Sequence, residues 1–511
     1  MRRKVRQQIA RDQRRIQRRL DRENRRRADS GKPVLEGTGA RYEIASRLRA
    51  VGAGGLGLIH QMARSLGLIE AIDKRVHLLR FHLPYHESDH VINIAYNLLA
   101  GGECLEHLEL LRNDESYMDM LGACRIPDPT TAGDFCRRFR CQADIDALQA
   151  AINETSLRAW KQQPDEFFEH AYIDADGTMV DASPTSQGAD FSHKRRFCYH
   201  PLIVTLANTG EVLSLENRPG PRPSSEGAAA RLDEAIALVR RAGFRSVTMR
   251  GDTDFSQSEY LDSWDQAGVR FVFGYACYEN LLETADSLPD SAWRRLDRDE
   301  KYTIKTEPRT RPINIRELAA VKRNYRNIHL LEENVAEFDY KPSRCDTSFR
   351  IVVVRKLVTH EKGQDLLYPE IRYFFYVTNR RDVTAREIVR LANTRCAQER
   401  IIGQLKSGVE CLRAPLDNLH SNWAYMVCAA LAWNLSKWFA LLIPVNARWG
   451  KKHREEKRAV LTMNFRNFVA AFMRVPAQVV KTSRKVKLRL LACNIWQHVF
   501  FRGLDGVRAL E

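Results

Sequence analysis

Apolar and polar positions change their period along this chain, and the changes mark out its elements. From about residue 55 to 160 the apolar residues keep helical spacing. Ile59 to Leu68 closes in a glycine turn, Val91 to Leu99 repeats the period, and Asp128-Pro129-Thr130-Thr131 reads as a helix start. The spacing then turns to that of strands. Tyr172 to Val180 reads as one, Phe197 to Ala207 as a second, and Glu211 to Glu216 as its return after the turn Asn208-Thr209-Gly210. Ser224-Ser225 is expected to cap a helix carrying Leu232, Ile236, Leu238 and Val239, stopped by Gly243. Short buried strands follow at Ser246 to Met249 and Val269 to Tyr275, with a helix between them. The predicted order is three strands, helix, strand, helix, strand.

Residues 276–370 break this rhythm. Charged, alternating segments at Tyr302 to Lys305, Ile313 to Arg316 and Phe349 to Lys356 predict a β-rich insertion before a buried strand at Arg372 to Thr378. Thr384-Ala385-Arg386-Glu387 is a capping box opening a long helix. Arg395, Glu399 and Lys406 on that helix fall within roughly 60° of one face. The most apolar run, Trp423 to Leu435, is too short for a membrane span, is closed by Ser436-Lys437, and predicts a buried core helix.

Charge adds a partner to this picture. The chain carries a net +17, concentrated at its ends. Residues 1–50 hold 17 Lys and Arg against 6 Asp and Glu, residues 445–511 hold 15 against 4, and the stretch between is slightly acidic. That distribution suits a polyanion gripped from two sides, and nucleic acid is the favoured one. The first 27 residues form either a helix too polar to fold alone or an arm that orders on phosphates. The short helices of 55–160 suit a helix-turn-helix reader or, equally, a helical packing unit. In the C-terminal run, Lys481, Arg484, Lys485, Lys487 and Arg489 alternate with apolar residues, as in an element laid on phosphates or packed with one wet face. Eleven scattered cysteines, with no zinc spacing, and no recognisable signal peptide point to free thiols in a cytoplasmic protein without a membrane segment.

Candidate chemistry starts with Asp174-Ala175-Asp176-Gly177-Thr178. Both acids point to one side of their strand, and carboxylates are costly to bury unpaired. Either the strand ends at the surface in an Asp-Gly turn, or the acids help to hold a divalent metal. Asp252, just past the fourth strand, and Glu399 on the late helix complete a trio that a mixed sheet of this order brings to one point. Two divalent metals in a phosphoryl-transfer site need such a cluster. Asp254 is either an N-cap or a further ligand. His193-Lys194-Arg195-Arg196 faces the groove between these acids or forms a solvated loop.

These segments together resemble the DDE transposases of bacterial insertion sequences, specifically the transposase DDE domain group 1. The likeness rests on Asp174-Ala175-Asp176-Gly177-Thr178, Tyr199-His200-Pro201-Leu202, Arg218-Pro219-Gly220, Arg250-Gly251-Asp252-Thr253-Asp254-Phe255, and the helix with Arg395, Glu399 and Lys406. Ala392 stands where the family's motif has tyrosine, and Asp254 where it has glycine. The resemblance implies an α/β fold: an RNase H-like mixed-sheet core interrupted by a β-rich insertion and preceded by a helical domain. It divides the chain into a basic arm and linker (1–50), a helical, DNA-binding domain (51–165), the first part of the core (166–275), the insertion (276–371), the second part of the core (372–444) and a basic C-terminal region (445–511).

It implies that Asp176, Asp252 and Glu399 bind two Mg²⁺, replaceable by Mn²⁺, with Asp174 as the alternative first ligand. Arg395 and Lys406 are expected to hold transposon-end DNA, with Lys194, Arg195, Lys485 and Lys487 as further contacts. The expected activity is cleavage at the terminal inverted repeats of an insertion sequence and strand transfer by the freed 3′-hydroxyl, in a homodimeric synaptic complex on double-stranded DNA. The alternative is an inactive or co-opted copy that binds the ends as a repressor.

Overall fold

The computed structural model describes residues 3–27, 40–42, 48–192, 194–297, 326–362, 365–366, 369–482, 486–491 and 494–511. Tyr302 to Lys305, Ile313 to Arg316, His193, Arg484 and Lys485 lie outside them. A ten-stranded mixed sheet runs through the molecule. Five of its strands are β1 (Ala171–Gly177), β2 (Leu202–Leu206), β3 (Glu211–Glu216), β4 (Val247–Gly251) and β5 (Arg270–Tyr275). They stand in the order β3-β2-β1-β4-β5, with β1 antiparallel to β2, β2 antiparallel to β3, and β1, β4 and β5 parallel. From β5 the sheet continues through β6 (Arg294–Arg295), β7 (Arg326–Tyr340), β8 (Phe349–Lys362) and β9 (Glu370–Thr378), in the order β6-β7-β8-β9-β5. The segment between β5 and β9 thus lengthens the same sheet, β9 pairing antiparallel with β5.

The helices used below are α1 (Arg3–Arg27), α2 (Leu56–Ser65), α3 (Leu68–Arg75), α4 (Glu87–Leu99), α5 (Gln142–Trp160), α6 (Ala228–Ala242), α7 (Ala385–Thr394), α8 (Cys396–Ser407), α9 (Leu419–Leu442) and α10 (Gln497–Arg508); further helices include Ser258–Gln266, Glu279–Ser287 and Gly450–Leu461. Asp128 caps Pro129–Cys136 and Thr384 forms the expected box with Glu387. Gly243 ends α6 in the left-handed conformation (φ 101°) that a side chain would resist. Five expectations fail. The strand read from Tyr172 to Val180 ends at Gly177, and Val180–Asp181 is a short strand of a separate small sheet. The strand from Phe197 to Ala207 breaks at His200-Pro201, because proline supplies no N–H to a ladder; Phe197–Tyr199 joins the same small sheet and only β2 joins the large one. Gly227 (φ 74°), not Ser224 or Ser225, caps α6. The long helix after Thr384 is two helices, with Arg395 at their junction. Ser436-Lys437 do not end α9, which runs on to Leu442.

Helix α9 is buried from Ser421 to Leu442. By length and hydropathy it could cross a membrane, and its apolar window is wholly enclosed by the protein. It lies along β3, the outermost strand of the sheet, and supplies the partners an edge strand lacks. Asn434 accepts from the Val212 N–H (2.9 Å) and donates to its carbonyl (2.9 Å), while Trp433 Nε1 donates to the Gly210 carbonyl (2.7 Å). The buried Glu211 carboxylate accepts from Trp160 Nε1 (2.7 Å) and Trp438 Nε1 (2.8 Å), tying α5 and α9 to the sheet. Lys437 is accommodated inside the helix: its ammonium donates to the Leu461 carbonyl (2.7 Å) and lies 3.7 Å from the Trp433 ring centroid. Burial lowers its pKa to about 7. Around α9 a single apolar core takes in Val51, residues of α2 to α5, Phe472 and Val507, so both ends of the chain share it. A second core lies on the sheet, from Ile173 and Met249 to Phe271 and Val353.

Candidate active site

Strands β1 and β4 lie side by side and parallel, with Asp174 opposite Arg250. Two residues further on stand Asp176, still paired with Ile203 of β2, and Asp252, just past the end of β4. Both therefore lie at the carboxyl end of the parallel strands, where open α/β sheets bind their ligands. The turn after β4 depends on Gly251, because a Cβ there would lie 2.6 Å from Cβ of the buried Phe255. Asp252 Oδ1 accepts from the Asp254 N–H (3.0 Å) and caps the single turn Thr253–Phe255. Asp252, and not Asp254, is thus the N-cap, and Asp254 is exposed.

Asp174 faces a different task. Its side chain is 1% exposed and both oxygens accept from Arg250, Nε at 2.7 Å and Nη2 at 2.8 Å. Arg250 also donates to the Leu391 carbonyl (3.4 Å) and to the Thr394 hydroxyl, at the end of α7. One buried guanidinium therefore joins β1, β4 and the α7–α8 junction, the three places that carry Asp176, Asp252 and Arg395-Glu399. Gln398 makes a second tie. It is fully buried beside Glu399, its Nε2 donates to the Ile203 carbonyl (3.2 Å) and its Oε1 accepts from Thr205, seating α8 on β2. Arg250 entered the sequence reading only within the Arg250–Phe255 motif, with no role given to it, and Gln398 not at all. The signal available was the spacing, since Arg250 and Gln398 sit two and one residues before an expected ligand.

Within the site Arg395 Nη1 approaches Asp176 Oδ2 (3.4 Å). Burial raises the Asp176 pKa to about 6; Arg395 opposes that rise, and the neighbouring Asp252 and Glu399 charges add to it. Asp252 is raised by burial as well, against the pull of Arg395. Asp176 and Asp252 are half-buried and Glu399 is exposed at the start of α8. Arg395 thus sits against Asp176 and its charge reaches Asp252, while Asp252 and Glu399 act on Asp176. Among the described residues, no three His, Cys, Asp or Glu side chains meet closely enough to form a ready metal site. The donor set is nevertheless carboxylate oxygen throughout and mutually repelling, which suits hard divalent cations.

Beside the acids lies a cleft of about 460 Å³ lined by Asp181, Lys194, Arg196, Lys406, Glu410 and Arg413, among others. Burial lowers the Lys406 pKa; Asp181 and Asp176 oppose that shift, and Lys194 adds to it. Arg195 follows Lys194 in the turn between two short strands, with a positive φ of 56°. Lys487 stands elsewhere, on the hairpin of β10 (Ala477–Lys481) and β11 (Val486–Leu490), which pairs with Ala50–Val51.

The family model described as Transposase DDE domain group 1 matches residues 48–511. Among solved structures, the chain is similar to a cryo-EM structure of the piggyBac transposase synaptic complex with hairpin DNA, at 9% identity and a TM-score of 0.33, covering 82% of this chain and 81% of that one. No curated protein matches the chain.

Proposed function

The chain belongs to the transposase DDE domain group 1 family, and from that premise we propose that it binds the terminal inverted repeats of an insertion sequence and carries out metal-dependent cleavage and strand transfer. The observation that carries this reading is that Asp176 and Asp252 lie at the carboxyl ends of adjacent parallel strands, with the Glu399 helix seated beside them on β2 through Gln398. The order β3-β2-β1-β4-β5 supports an RNase H-like core. Asp176, Asp252 and Glu399 would hold two Mg²⁺, with Mn²⁺ able to substitute. Bound there, the cations supply Lewis acidity that lowers the cost of developing negative charge during in-line displacement at phosphorus. Asp174 is spent on Arg250, which favours Asp176 as the ligand from β1.

The protein's own part is to position and neutralise. Arg395 balances the acids and, once they hold cations, is free to turn to a backbone phosphate. Lys406 and Lys194 line the cleft along which the DNA strand would pass. Hydrolysis frees a 3′-hydroxyl, and the same site then directs that hydroxyl at a target phosphodiester. No covalent bond to the protein is required. Two copies would hold the two ends in one synaptic complex, in the bacterial cytoplasm at the nucleoid. The test is cleavage and joining of a plasmid carrying the element's ends. Salt-sensitive binding without any breakage, under Mg²⁺ or Mn²⁺, would instead favour a repressor.

Two predictions follow from the site's charges. Lys406→Ala is expected to weaken duplex binding and to reduce the slope of log affinity against log salt by about one, since one phosphate contact disappears; a salt titration reads both. The second concerns pH. An acid whose folded pKa is raised favours the protonated fold, so the contribution of Asp176 is stabilising at low pH and is lost as pH rises through about 6. Without metal, that loss amounts to at most about 3 kcal/mol. Mg²⁺ binds only the ionised carboxylate, so it should raise the melting temperature more at about pH 7 than at about pH 5. Asp176→Asn should flatten that difference, as read by thermal melts with and without Mg²⁺.

A further inference from the structure

The loop between α3 and α4, residues 76–86, holds two large apolar side chains out of the protein: Phe81 is 79% exposed and Leu83 is 86% exposed, with Pro84 exposed beside them. Single exposed apolar residues are ordinary. These two differ because the loop beneath them is built. Glu87, the first residue of α4, is 1% exposed and directs its carboxylate back under the loop. Its Oε1 accepts from the Leu78 and Leu79 N–H groups (both 3.0 Å), and its Oε2 lies 3.0 Å from His82 Nε2.

The His82 ring stacks on His86 at 4.5 Å, and the His86 N–H donates to Asp89 Oδ2 (2.9 Å). At the other end, Ser88 donates twice to Asp73 (2.9 Å each), holding α4 against α3. Leu78 and Leu79 pack inward, and Tyr85 is half-buried under Arg125 at 5.8 Å. A buried carboxylate and a stacked pair of imidazoles thus fix the base, and the apolar tip faces solvent beside the exposed Arg80. The ordering cost of presenting that tip has been met before any partner arrives.

We infer that this tip is a wedge for duplex DNA: Phe81 and Leu83 enter between stacked bases while the cations beside them sit on the flanking phosphates. The inference rests on the DNA-binding reading above and adds a contact outside the acid site. Charge selects DNA over a second copy of the chain. Residues 74–86 contain no Asp or Glu and hold Lys74, Arg75 and Arg80 together with three histidines; Lys74 and Arg80 are exposed. Apolar side chains of these types, flanked by cations, are what proteins use to unstack a base step and kink a duplex. Flexible pyrimidine–purine steps yield most readily to such a wedge.

The test uses the full chain and a mixed-sequence duplex carrying 2-aminopurine at pyrimidine–purine steps and a FRET pair at its ends. The native protein is expected to raise 2-aminopurine fluorescence and to shorten the end-to-end distance. The Phe81→Ala/Leu83→Ala variant, altered only at exposed positions, should keep salt-dependent binding but lose both signals, and Phe81→Trp should retain them. A double variant that unstacks and bends like the native chain would overturn the wedge and leave the DNA reading standing. So would one whose only change is a loss of self-association in sedimentation, because the tip's partner would then be a second copy. A native chain that binds no duplex at all would overturn both readings.

Discussion

Asp252→Ala is expected to lower the rate of end cleavage by roughly 10³-fold or more, because it removes a ligand from the site where charge develops at phosphorus. The fold should survive. Asp252 caps only the single turn Thr253–Phe255 through one hydrogen bond to the Asp254 N–H (3.0 Å), and losing such a cap costs about 1 kcal/mol. Duplex binding should hold or tighten, since a carboxylate that repels phosphates is gone. Cleavage of a plasmid bearing the ends, with circular dichroism and a binding isotherm on the same preparation, reads all three. Undiminished cleavage by a folded Asp252→Ala protein would remove the proposed site.

Arg250 should show the largest effect on stability. Arg250→Met strands the Asp174 carboxylate, which is 1% exposed and among the described residues is ion-paired with Arg250 alone, at a cost of about 3–5 kcal/mol. Asp174→Asn/Arg250→Met leaves neither charge buried and should recover much of that loss, because buried ion pairs are replaceable by neutral groups at little net cost. Cleavage should not recover with it. The double variant still lacks the donors to Leu391 and Thr394 that hold the α7–α8 junction against β4. Denaturant melts of the three proteins, paired with cleavage rates, separate the two roles. A double variant that regains both stability and activity would show that the guanidinium serves the fold alone.

What could be read from the sequence was whatever one local rule decides. Gly243 and the Thr384 box end and start helices by backbone chemistry that needs no neighbour. The hairpin at Asn208-Thr209-Gly210 and the order of strands and helices through β5 followed from periodicity and turn residues in the same way. Failures came where tertiary contacts overrule local preference. Lys437 resembles a helix end only until Leu461 and Trp433 are there to receive its ammonium. Ser224 and Ser225 are good caps by type, yet the chain turns at Gly227 instead. Asp174 and Asp176 are alike in sequence, and only the register that sets Arg250 opposite Asp174 gives one acid to the core and leaves the other facing the site. Register is a property of paired strands, so a single strand's sequence does not contain it.

The enclosure of α9 has a consequence for how the molecule is born. Val51 and Val507 line one core, and Gly503 of α10 sits so near the Phe439 ring that an added Cβ would lie 2.6 Å from it. Helices α4 and α5 and strand β3, all made before α9, cover most of it, and only its Phe439 side waits for α10. Until then that side is bait for chaperones and proteases. A chain ending before Gln497 would leave the Phe439 side of α9 bare and is expected to melt below the full chain.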